Sequence, residues 1–90
     1  MSDAWRDITM HSRGATDRTP RVWELRVGKF RIYVHRHVHH PQDVWLLSCA
    51  PWFDNTEIGR DDADTAKYLA ESMVRAVLQE AWYELEAVRD

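Results

Sequence analysis

From Asp61 to Asp90 the chain contains neither glycine nor proline, and its apolar residues recur at helical spacing. Ala66, Leu69, Ala70, Met73, Val74, Val77, Ala81, Leu85 and Val88 mark one stripe of such a helix. Before it, from Val22 to Ala50, the apolar residues step by two, as strands do. An amphipathic helix and a half-buried sheet each need a partner for one greasy face, and here each can cover the other. The expected fold class is α+β: a meander of three to four antiparallel strands followed by one long C-terminal helix packed on one face. Ninety residues make one domain. Residues 1–20 are read as an N-terminal arm, partly flexible, and residues 21–90 as a single β-β-β-α domain.

The local signal is sharpest in the first hairpin. Val22–Val27 alternates, Gly28-Lys29 makes a two-residue turn, and Phe30–Val34 alternates again. That turn pairs Val27 with Phe30, Leu25 with Ile32 and Trp23 with Val34, all on one face. Glu24, Arg26, Arg31, Tyr33 and His35 fall on the other. Val44–Ala50 is a third strand, apolar nearly throughout, which implies a central position or burial on both faces. The loop at 39–43 leaves its register open. Asp54-Asn55 signals a turn, with a short fourth strand around Thr56–Ile58. The expected core is Trp23, Leu25, Val27, Phe30, Ile32, Val34, Leu46, Leu69, Met73, Val77 and Ala81.

The helix begins near Asp61 or Asp62, where Asp61, Asp62 and Asp64 complement the unpaired N–H groups of its first turn. Some 27 residues span roughly 40 Å, longer than a three-stranded sheet is wide. Its last turns therefore project past the sheet or pack on another chain. In the arm, Trp5 and Ile8 either stay mobile or dock on a neighbour.

The chain has five tryptophans, more than one thin core hides with ease. Trp45, Trp52, Phe53, Trp82 and Tyr83 form the candidate interaction surface, with a homodimer as the expected assembly. The competing reading folds Trp52 and Phe53 back as a lid over the sheet's edge.

Other chemistries receive less support. The net charge of −3 and only two lysines argue against a large phosphate-binding field. The candidate nucleic-acid face is Arg26, Arg31, Tyr33, His35 and His37, interrupted by Glu24, so nucleic acid is the alternative partner. His35 and His37 share a strand face that could hold a metal, with Cys49 on the next strand as a sulfur donor. No third carboxylate ligand is placed, and a solvated, titratable face is the favoured account. No metal or cofactor is assigned. Ser48 and Cys49 sit in an apolar strand, a poor setting for an activated nucleophile, and no glycine-rich phosphate loop occurs. The chain is read as non-enzymatic. One cysteine permits no internal disulfide, and no apolar run is long enough for a membrane span or a signal peptide. A cytoplasmic protein without membrane contact is expected.

The stretches Val27-Gly28-Lys29-Phe30, Arg36-His37-Val38-His39-His40-Pro41 and Trp45-Leu46-Leu47-Ser48-Cys49 resemble small uncharacterised proteins encoded by phages and prophages. The resemblance covers about residues 22–85. It implies an accessory protein of a phage or mobile element that binds a host or phage macromolecule. It assigns no site.

Overall fold

The computed structural model describes residues 4–10, 14, 21–36, 44–60 and 62–88. Five antiparallel strands lie side by side in chain order: β1 (Arg6–Asp7), β2 (Val22–Val27), β3 (Phe30–His35), β4 (Trp45–Cys49) and β5 (Phe53–Gly59). A single helix, α1 (Ala63–Ala87), follows. The α+β expectation holds, with one strand more than the alternating pattern disclosed.

The hairpin has the register its turn dictates: Val27 faces Phe30, Leu25 faces Ile32 and Trp23 faces Val34. Gly28 carries the positive φ, 57°, that the two-residue turn requires. β4 is an interior strand, as its apolar run implies, and pairing resolves its register. Leu47 lies opposite Val34 and so points to the helix, while Leu46 lies opposite His35 and points away. Both are fully buried. β5 extends well beyond the expected Thr56–Ile58. Its pairing with β4 shifts register twice, and Asn55 sits at φ 51°, a conformation that asparagine tolerates better than most residues.

Three expectations need correcting. First, residues 4–10 do not form a separate arm. Arg6 and Asp7 pair with Glu24 and Trp23, and Trp5 is buried in the domain's own core rather than docked on a neighbour. Its indole N–H donates to the Glu71 carboxylate at 2.7 Å, which fixes the ring against the helix. Second, the helix seam is rotated from the expected one. Ala66, Ala70 and Val74 are buried, whereas Leu69, Met73 and Val77 are half-buried and Ala81 is exposed. The sheet brings bulky Trp5, Trp45, Ile32 and Leu47 to the interface, so alanines opposite them let the helix lie close. Third, Val27 is exposed at the hairpin's end and does not join the core.

Asp62 caps the helix, accepting the Thr65 N–H at 2.8 Å, and this hydrogen bond holds its carboxyl below the ordinary value. Asp61 lies outside the described residues. The helix backbone comes close to β3, β4 and β5 but not to β2, so it covers the sheet off-centre. Lys67 bridges part of the gap, its ammonium 3.4 Å from the centre of the Trp23 ring.

Past Leu78 the helix leaves the sheet. From Gln79 to Val88 every residue is exposed, and the molecule measures 60 × 24 × 22 Å. The projection expected from helix length is present.

Candidate interaction surface

The projecting segment repeats the pattern of the buried one. A helix advances about 100° per residue, so Ala81, Leu85 and Val88 continue the line of Ala66, Ala70 and Val74 beyond the sheet. Leu85 is 63% exposed and Val88 78%. Trp82, 59% exposed, sits one turn after Leu78 on the flank that faces β2. Tyr83 points to the far side of the helix, so it does not share the Trp82 surface despite being its neighbour in sequence.

On that same flank, the off-centre helix leaves an apolar groove of about 210 Å³. Leu25, Val27, Phe30 and Ile32 form its floor, and Val74 and Leu78 its wall, with Glu71 and Arg75 at the rim. Trp52 extends this surface around the sheet's end: its ring meets Phe30 edge-on with centroids 5.7 Å apart. An apolar strip thus runs from exposed Trp52 past the half-buried Phe30 and Leu78 to exposed Trp82 and Leu85.

The sequence-derived surface is therefore only partly assembled. Trp52 and Trp82 belong to the strip. Trp45 must be removed from it: it is 2% exposed, and the Arg36 guanidinium lies 4.3 Å from its ring centre. Phe53 is half-buried and packs against the core beside Cys49, closer to the lid reading than to an association surface. Phe30 is half-buried against the core, as its alternation predicts, and Leu78 packs there too; Leu85 is the exposed residue that helical spacing alone does not separate from a core.

The sheet's outer face carries the other candidates. Arg26, Arg31, Tyr33 and His35 share it, as the register requires; His37 lies outside the described residues. Glu24 is buried at its centre and engages both cations, Arg26 at 3.3 Å and Arg31 at 3.9 Å. That pairing draws the guanidinium groups toward the protein and cancels part of their field.

His35 Nε2 lies 3.1 Å from the Ser48 hydroxyl, a spacing suited to a base and a nucleophile. The hydroxyl, however, donates to the Asn55 side-chain carbonyl at 3.3 Å and accepts the Asn55 N–H at 3.1 Å. The hydroxyl is thus shared between His35 and Asn55, and the group pins the irregular β4–β5 crossing. Cys49 and His35 lie on opposite faces of the sheet, which rules out the metal set joining them. Among the described residues, no group of three or more His, Cys, Asp or Glu side chains is placed to hold a metal ion.

Cys49 is buried, and desolvation pushes its thiol pKa up. Native protein should therefore react with a thiol reagent at pH 8 roughly 10³-fold more slowly than urea-unfolded protein, since access requires unfolding. Time courses with a chromogenic disulfide check this; equal rates would place Cys49 at the surface.

No family model, no curated protein and no solved structure matches the chain. Among the described residues, no helix is long and apolar enough to cross a membrane.

Proposed function

We propose that the protein acts by association with another protein through the projecting end of α1, and that it performs no catalysis. The observation that carries this reading is the run Gln79–Val88, in which every residue is exposed while the apolar stripe continues unbroken. Without cover, this segment is physically unfavourable. The segment extends a helix already nucleated on the sheet, but without packing each added residue contributes little net stability and the free end frays. Glu80, Glu84 and Glu86 oppose the helix dipole at its C-terminal end, and no basic residue stands in the last turn. Burial of Trp82, Leu85 and Val88 against a partner offsets both penalties.

The absence of catalysis is supported by the engaged Ser48 hydroxyl and the buried Cys49 thiol. Nucleic-acid binding is the weaker reading, because Glu24 occupies the centre of the basic face. A phage or prophage setting, a host or phage protein as partner, and a cytoplasmic location are proposals that rest on the sequence alone.

A photo-crosslinking residue in place of Trp82 tests the association in cells of the encoding organism. The expected result is a covalent protein adduct from position 82 and little or none from Gln79, which lies off the stripe. Equal labelling at both positions, or no adduct at either, would overturn it.

A further inference from the structure

We infer that the partner covering the projecting helix is a second copy of this chain, packed antiparallel about a two-fold axis. This rests on the association reading above and names its partner.

The shape of the surface comes first. The stripe on Ala81, Leu85 and Val88 continues the face that packs on the sheet, and past Leu78 each of its residues is exposed. A helix takes up about 8–10 Å against its neighbour. The same stripe on a second copy, entering from the opposite direction, therefore fills the space under the overhang. Each surface meets its own copy, as a closed two-fold contact requires. Small Ala81 beside large Trp82 and Leu85 gives the two stripes recesses and projections that can interlock.

Charge selects the direction. Between Gln79 and Val88 the charged residues are Glu80, Glu84 and Glu86, all acidic. The hairpin end, which shares the groove with Leu78, carries Lys29 beside Phe30. A parallel pair would set one acidic tip against the other. An antiparallel pair sets each acidic tip against the basic hairpin end of the other copy.

Area points the same way. A stable dimer takes roughly 800 Å² from each copy, more than three side chains provide. The antiparallel tip arrives where Trp52 is exposed and the half-buried Phe30 and Leu78 line the apolar groove, so burial there adds to what Trp82, Leu85 and Val88 provide. A parallel pair leaves those residues uncovered.

The test is sedimentation equilibrium of the full chain over a range of concentrations. Native protein is expected to reach twice its 10.7 kDa. Glu84→Lys with Glu86→Lys should weaken self-association about tenfold, the equivalent of 1.4 kcal/mol. Lys29→Glu should weaken it similarly, both variants keeping the native circular dichroism. Mixing the two variants should restore association, because both ends of the contact then pair opposite charges. A native protein that stays monomeric overturns the inference. It is also overturned if the Glu84→Lys, Glu86→Lys variant pairs with native chain as well as it does with Lys29→Glu, the signature of tip against tip. The two readings fail separately: a monomer that still gives a crosslink from position 82 to a protein of another mass leaves the association reading intact.

Discussion

Trp5→Ala is expected to destabilise the domain by about 3–5 kcal/mol, the range for removing a buried aromatic. The residue lies five positions from the chain start, where a truncation is commonly harmless. Here its ring is a member of the core, packed among Ile32, Val34, Trp45 and the alanines of α1. Its N–H also ties the sheet's edge to the helix through Glu71. Since domains of this kind have about 5–15 kcal/mol in total, one substitution removes a fifth of the margin at the least. Urea unfolding followed by circular dichroism measures the loss. Met10→Ala is the control, because Met10 is exposed and should change stability by less than about 0.5 kcal/mol. Equal effects at Trp5 and Met10 would mean that the first strand is dispensable. Trp5→Phe separates the terms: most of the packing stays, and the Glu71 hydrogen bond is lost.

The second large effect is expected from making the helix seam more apolar. Ala70→Leu should cost about 1–3 kcal/mol, although it raises both hydrophobicity and helix propensity, because it overpacks a tight contact. Ala70 is fully buried between helix and sheet, and added volume forces α1 away from Trp45 and Leu47. Ala76→Leu, on the exposed face of the same helix, should be within about 0.5 kcal/mol of native. Thermal and urea unfolding of both variants decide the matter. A stabilised Ala70→Leu would show that the helix sits higher on the sheet than described.

These two sites also mark where the sequence was opaque. The hairpin was legible to the residue, because a two-residue turn and a period of two leave one consistent register. The helix and its projection were legible from length and uninterrupted spacing. Trp5 was not assigned, since a two-residue strand has no period and its partner Glu71 is sixty-six positions away. The seam was misjudged for a related reason. Spacing identifies a broad stripe, and choosing the larger residues within it ignores the bulk of the opposing surface. Trp45 went astray the same way: counting aromatics predicts that some must be exposed, but which ones depends on the central place of β4. The overhang's apolar stripe was visible in advance as a pattern. Its separation from Tyr83 and its continuity with Phe30 and Trp52 needed the third dimension.

The lopsided outline has a practical effect on how stoichiometry is read. A compact chain of this length has a radius of gyration of about 12 Å, whereas this one has 15.1 Å. A body 60 Å long and 24 Å across drags more solvent than a sphere of equal mass. One copy alone will leave a calibrated size-exclusion column early, in the position of a heavier globular standard, and mimic a pair that has not formed.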